Sequence, residues 1–297
     1  MKPAIDLPFT PNSDEWLAHR QTGVGASDIP IILGLSSFME PRELFHVKRG
    51  EIEPRPMQQW QRFGHLLEPA VVAAFTEDTG IAVKRYPAPV RARADNPRHM
   101  ATPDADLVPD GEGLECKHAS RFSTVWEHPF DRVPDPYYVQ AQWQMHVCDW
   151  ERVWIELLVD GSQTHTLFVD RDAAVIRELI GAADSFLEAV DSGDAPDWTD
   201  QPELDVVRRR YTEFTGEVVT LPADIVDAWE TMQELTKRAN TTKKEADRLK
   251  AQVLEAMGNA DAAELPGGGF IRRKLQKRAA HMVKESEFIM VRQVKKL

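Results

Sequence analysis

The chain has 297 residues, 42% of them hydrophobic, with eight Trp and a formal net charge of −12, which fits one large domain or a domain with an appendage. No apolar run is long enough to cross a bilayer, and Met1–Asp6 lacks a signal-peptide pattern, so a soluble cytoplasmic protein with no membrane partner is expected. Two cysteines, Cys116 and Cys148, exclude a disulfide framework, a zinc pattern and a four-cysteine iron–sulfur cluster.

In chain order, Ser13 caps a short helix to Arg20, with Trp16 and Leu17 apolar. The small-residue turn Gly23–Asp28 follows, and Ser27 or Asp28 caps a second short helix from Ile29 to Leu33. Glu40-Pro41 opens a helix to Arg49, closed by Gly50. A long helix begins near Met57 and carries Trp60, Phe63, Leu67, Val71 and Phe75 at three- and four-residue steps; Pro69 inside it predicts a kink or break. Ile81–Tyr86, Val90–Ala94, His99–Asp106 and Gly113–His118 read as an antiparallel run, with Pro109-Asp110-Gly111 as a turn. A Pro-rich loop with Trp126, expected in the core, leads to a helix from Tyr137 to Cys148. Strands Arg152–Val159 and Thr164–Val169 and a helix Arg171–Ser192 close this domain. The order predicts an α/β (α+β) fold, a central mixed sheet flanked by helices. Asp194–Pro202 reads as a connector, giving domains 1–198 and 199–297. Pro222–Met257 is a helical pattern, either one helix or a hairpin broken at Asn240-Thr241-Thr242, and short strands follow the Pro266–Gly269 turn.

The charge-bearing pattern is Thr102-Pro103-Asp104 followed by Leu114-Glu115-Cys116-Lys117. On a strand Glu115 and Lys117 share one face and Cys116 takes the other. Two carboxylates can hold a hard divalent cation, and an ammonium beside them can orient a water. A solvated Lys–Glu pair on a hairpin would read the same. Asp106 competes with Asp104 as the acidic partner. The negative sum is a weak test of nucleic-acid binding, because placement decides: Gly267–Leu297 holds nine Lys or Arg against Glu285 and Glu287. That basic tail either tracks a DNA backbone or is a solvated edge.

Around this pattern the order of blocks resembles the phage recombination exonucleases of the YqaJ and lambda-exonuclease type, within the PD-(D/E)XK nuclease superfamily. The blocks are Trp16–Arg20 with Gly25–Ile29, Phe63–Pro69, Thr102–Asp104, Leu114–Lys117 and Tyr137–Gln142, spanning roughly Trp16 to Asp170. The resemblance implies a restriction-endonuclease-like core with a C-terminal helical and small β appendage. It implies Mg²⁺, with Mn²⁺ able to substitute, at a two-metal site. Asp104, Glu115 and the Cys116 backbone carbonyl would be ligands, and Glu68 would join directly or through a water. Lys117 would position the attacking water, and Gln140 would orient a ligand or water. Arg20, Ser27 and Thr102 would hold a 5′-phosphate; Ser27 as a helix cap and Arg20 in a surface ion pair are the simpler readings. Glu68 would otherwise pair with a neighbour such as Arg62. His19, His65, His99 and His118 lie beside the blocks without metal-ligand spacing.

The implied activity is 5′-to-3′ digestion of one strand at double-stranded DNA ends, releasing 5′-mononucleotides and leaving 3′ overhangs for a single-strand annealing protein. A phage or prophage origin in a bacterial host and a trimeric ring are further implications of the resemblance. An internally cutting endonuclease or nickase would use the same residues. A non-catalytic DNA-end or partner-binding module would have no need of crowded carboxylates.

Overall fold

In the computed structural model, residues 4–11, 13–199, 204–213 and 215–274 are described. The chain divides into two compact units, Met1–Thr212 and Glu213–Leu297. The first unit opens with β1 (Ala4–Asp6), α1 (Asp14–Gln21), the four-residue α2 (Ile29–Ile32) and α3 (Pro41–Lys48). Ser13 caps α1 by accepting the Trp16 N–H at 3.2 Å. Pro41 starts α3, where its missing N–H would have had no intrahelical partner. Of the kink or break expected at Pro69, there is no break: α4 (Gln59–Thr79) runs through it, at the loss of the bond to the His65 carbonyl.

Then come β2 (Val83–Arg85), β3 (Arg91–Arg93), β4 (Met100–Ala101), β5 (Ala105–Leu107) and β6 (Glu112–Ala119). α5 (Asp135–Cys148), β7 (Arg152–Val159), β8 (Gln163–Asp170) and α6 (Ala173–Ser192) follow. The central sheet has the order β2-β5-β6-β7-β8. Only β6 and β7 pair in parallel, in register from Glu112–Arg152 to Ala119–Val159, so this sheet is mixed as expected. Parallel neighbours need a crossover, and α5 supplies it.

Alternation along β6 and β7 sorts the two faces. Leu114 and Cys116, with Trp154 and Leu158 of β7, pack under Val71, Val72 and Phe75 of α4. Val153, Ile155 and Leu157 face the other way, into a core with Trp143 and Val147 of α5 and Leu179 and Ala183 of α6. Helices therefore cover both faces of the sheet. Gly113 of β6 has no side chain because Trp150 lies against it; a Cβ there would stand 1.9 Å from the indole.

The expected antiparallel run of four strands is corrected in one respect. β3 and β4 leave the central sheet and pair with β1 in a separate three-stranded sheet, order β1-β3-β4. His99–Asp106 is thus two short strands in two sheets, parted at Thr102-Pro103-Asp104, because a proline cannot donate to a ladder.

The first unit also extends past the expected boundary at 198. α7 (Leu204–Arg210) belongs to it: Val206 is buried with Val47 and Ile52, and Arg209 donates to Glu43 at 2.5 Å. In the second unit α8 (Ala223–Met257) is one continuous 35-residue helix, so the hairpin reading is set aside. β9 (Ala262–Glu264) and β10 (Phe270–Arg272) form an antiparallel pair. The basic tail beyond Lys274 lies outside the described residues. Among the described residues no helix is long and apolar enough to cross a membrane.

Candidate active site

The chain passes from one sheet to the other at Thr102–Asp104, and this crossing places Asp104 beside the middle of β6. Asp104 Oδ2 accepts the Cys116 N–H at 2.6 Å. Oδ1 has no donor among the described residues. Glu115 points to the α5 side of the sheet, as its register with Ile155 requires. Its Oε1 accepts from Lys117 Nζ at 2.5 Å and from Gln140 Nε2 at 2.7 Å. Its Oε2 accepts from Gln144 Nε2 at 2.6 Å. The Lys117 ammonium also lies 4.9 Å from the Tyr137 ring centre.

Glu68 arrives from α4. It is paired not with Arg62 but with His65, one helical turn back at 3.7 Å, and with the Tyr86 hydroxyl. Burial first, then repulsion from Glu115 and Glu68, hold the Asp104 carboxyl well above the usual carboxylate range. Burial also raises Glu68, with Glu115 adding to it against the pull of His65. Burial and the same Glu68 push the Tyr86 hydroxyl up to about 12. Burial opposes the charge on Lys117, but Glu115 and Asp104 outweigh it and hold the ammonium above the usual lysine value. Two carboxylates therefore meet one ammonium, and Glu68 adds a third negative charge that acts on Asp104 and is itself raised by Glu115.

In chemical type these donors suit a hard divalent cation. The groups are oxygen donors with an excess of negative charge, and the Cys116 thiol, a soft ligand, is turned into the α4 core. Among the described residues no three His, Cys, Asp or Glu side chains are grouped so that together they could hold a metal ion. The remaining acceptor capacity lies on Asp104 Oδ1 and on Glu115 Oε2, which has one donor and a second lone pair.

Asp106 is not part of this group. Both its oxygens take the Arg91 guanidinium, at 2.8 and 2.6 Å, and Oδ2 also takes Arg85 at 2.6 Å. The salt-bridged Asp106 ties β5 to β2 and β3.

A second constellation lies at the other side of Thr102. Trp16 Nε1 donates to Thr102 Oγ1 at 3.4 Å, and the Arg20 guanidinium lies 5.3 Å from the Trp16 ring. Arg20 donates to Ser27 Oγ at 2.5 Å and to Asp28 Oδ1 at 3.1 Å. Asp28 is buried; it also accepts Lys48 Nζ at 2.7 Å and the Gly25 N–H at 2.9 Å. Burial works against the Asp28 charge, but Lys48 and Arg20 prevail and bring its pKa down to about 2. Arg20, Ser27 and Thr102 thus fall within one connected set. Neither Ser27 nor Asp28 caps α2 through its side chain, because each is engaged by Arg20 or Lys48 instead. The segment sits close to β4: Val24 exchanges backbone bonds with Arg98 and Met100, and a Cβ on Gly23 would stand 2.2 Å from the Arg98 carbonyl oxygen.

Three residues here escaped the reading of the sequence. Gln144 follows Gln140 by one helical turn, a spacing that was available as a signal. Lys48 and Tyr86 carried no signal, since only tertiary folding brings them in. Gln142, inside the Tyr137–Gln142 block, turns elsewhere and joins the Asp172 N–H to the Asp170 carbonyl. Of the histidines, His65 touches Glu68, whereas His99 is buried between Asp184 at 2.9 Å and His146 at 3.1 Å. Trp126 is buried and stacked on Tyr137, as the core reading had it.

With this geometry in view, residues 15–151 match the family described as the YqaJ-like viral recombinase domain. The protein YqaJ of Bacillus subtilis (strain 168) is 28% identical over 259 residues, covering 84% of this chain and 79% of that one. Among solved structures, an alkaline exonuclease (LHK-Exo) from Laribacter hongkongensis superposes with a TM-score of 0.51 at 21% identity, covering 61% of this chain and 94% of that one. LHK-Exo in complex with dAMP gives 0.50 at 21% identity, covering 67% and 97%. At that identity the likeness concerns the fold.

Proposed function

We propose that this chain, whose residues 15–151 match the YqaJ-like viral recombinase domain, is a metal-dependent exonuclease acting 5′ to 3′ on double-stranded DNA ends. It releases 5′-mononucleotides and leaves a 3′ single-stranded overhang for an annealing partner. The observation that supports this reading is the gathering of Asp104 and Glu115 at Lys117, with Glu68 adding its repulsion to theirs and Asp104 held well above its usual range. A binding module gains nothing from carboxylates placed where phosphates must approach.

Asp104, the Cys116 carbonyl, Glu115 and Glu68 would hold Mg²⁺ or Mn²⁺. The bound cation supplies Lewis acidity at the scissile phosphate and a water of lowered pKa. The rest falls to the chain. The Cys116 N–H fixes Asp104 in rotation. Gln140 and Gln144 each donate to one oxygen of Glu115 and so fix the orientation of its carboxylate. Lys117, kept protonated by the carboxylates, gives a fixed positive charge where charge builds on the phosphate. Arg20, with Ser27 and Thr102 beside it, offers donors to a terminal phosphate, and a guanidinium suits that group's geometry.

The test is Mg²⁺-dependent digestion of linear duplex DNA carrying a 5′-phosphate on one strand only, with a covalently closed circle as control. Loss of the phosphorylated strand alone, with the circle intact, is the expected result. Cutting of the circle would establish the endonuclease instead, and inertness in both Mg²⁺ and Mn²⁺ would remove the catalytic reading.

A further inference from the structure

The long helix α8 carries a seam that no described residue of its own unit covers. From Ile225 through Ala228, Met232 and Leu235 to Ala256, apolar or small residues recur at steps of three and four without a miss. This is the a/d repeat of a coiled coil, sustained over more than four heptads. The large members, Ile225, Met232, Leu235, Leu249 and Val253, are 41% to 56% exposed. A helix of 35 residues, about 52 Å long, draws most of its stability from covering such a face.

The charges on α8 say what covers it. Residues 223–236 carry Asp224, Asp227, Glu230 and Glu234 and no Lys or Arg. Residues 237–257 carry six Lys or Arg against Glu245, Asp247 and Glu255. A parallel copy would set acid against acid and base against base. An antiparallel copy sets the acidic half of each helix on the basic half of the other.

The seam has the symmetry that such a pairing requires. Turned on itself about its centre, it layers Ile225 on Ala256, Ala228 on Val253, Met232 on Leu249, Leu235 on Ala246 and Ala239 on Thr242. Each layer joins an a position to a d position, and three of the five set a large side chain on an alanine, which lets them interdigitate. At the flanking g positions the same register faces Arg238 with Glu245, twice by symmetry. Among the described residues Glu245 otherwise meets Arg248 on its own helix, an exposed contact at 3.7 Å.

We propose that α8 is a self-association element: two copies of this chain join through an antiparallel coiled coil of α8 in this register. The inference concerns the second unit alone and does not depend on the nuclease reading.

The experiment uses the full chain. Ala228→Cys and Val253→Cys are made separately, carried on differently tagged proteins, mixed, and oxidised; Cys116 and Cys148 are buried and stay in place. A disulfide dimer containing one of each variant, formed in the mixture and not by either variant alone, is expected. Self-crosslinking of Ala228→Cys alone would mean a parallel pair and would overturn the proposal. Absence of any crosslink, or crosslinking only to an added annealing protein, would overturn it as well. Sedimentation provides the second measurement. Leu235→Asp with Leu249→Asp should halve the mass of the assembly, and an unchanged mass would count against the seam. Arg238→Glu should weaken association roughly tenfold, and adding Glu245→Arg should recover most of it; failure to recover would reject this register.

Discussion

Asp104 and Asp106 are two residues apart, and their replacement should give opposite results. Asp106 neutralises Arg91, which is 5% exposed, through bonds of 2.8 and 2.6 Å, and also accepts from Arg85 at 2.6 Å. Asp106→Ala leaves a buried guanidinium with only Asp6, at 3.1 Å, as a carboxylate partner. Breaking a buried pair by removing one partner costs about 3–5 kcal/mol. The remaining Asp6 contact places this case near 3. For a unit of this size each kcal/mol moves Tm by about 2–4 °C, so a fall of roughly 6–12 °C is expected. Asp104→Asn keeps an oxygen for the Cys116 N–H and removes one of three mutually repelling charges. In EDTA its Tm should rise, while Mg²⁺-dependent digestion of linear duplex DNA is lost. Thermal melts in EDTA beside a nuclease assay read both quantities on the same samples. A stable Asp106→Ala together with a destabilised, active Asp104→Asn would show that the two roles have been assigned to the wrong residues.

The remaining predictions concern other parts of the first unit. Arg20→Ala should erase the preference for 5′-phosphate over 5′-hydroxyl ends; an unchanged ratio of the two rates would remove the phosphate pocket. Gln144→Met should take one donor from Glu115 and lower kcat by about tenfold or more, in line with roughly 1.5–3 kcal/mol for a hydrogen bond to a charged group, and a wild-type kcat would show that Gln140 suffices. Burial first, then Arg93 and His99, bring the His146 pKa down to about 3. Its unfolded value is near 6.5, so the unfolded chain takes up the proton first as pH falls. The stability tied to neutral His146 is complete above about pH 6.5 and is lost as pH falls toward the folded value; with allowance for water near the ring, about 1 kcal/mol goes by pH 5. Urea titrations should show this slope flattened in His146→Gln, and an equal slope would assign the acid sensitivity elsewhere.

Helices were the legible part of the sequence, because α4 and α6 repeat apolar residues at helical steps and their ends carry clear signals. The break at Pro103 was not read, since one strand was expected from His99 to Asp106. A proline tells that a strand stops, not that the next strand joins another sheet. In α8 the triplet Asn240-Thr241-Thr242 looked like a breaker. Thr241 and Thr242 instead bond back to the Lys237 and Arg238 carbonyls at 2.9 and 3.0 Å, which lets hydroxyl residues sit inside a helix. Within the candidate site, Asp104, Glu115 and Lys117 could be read because they are close in sequence and share a strand pattern. The buried pair Asp28–Lys48 could not, since nothing local distinguishes a buried lysine from a solvated one on a short helix.

The crossing between the two sheets also acts as a gauge. Thr102 is tied to Trp16 and Asp104 to the backbone of β6, and only Pro103 separates them. Two residues of chain reach no more than about 7 Å, and a proline between them stiffens that reach. On the proposed reading, one anchor faces the group that holds the strand terminus and the other faces the bond to be cut. The interval from terminus to cut would then be built into covalent geometry, so that every turnover removes a piece of the same length.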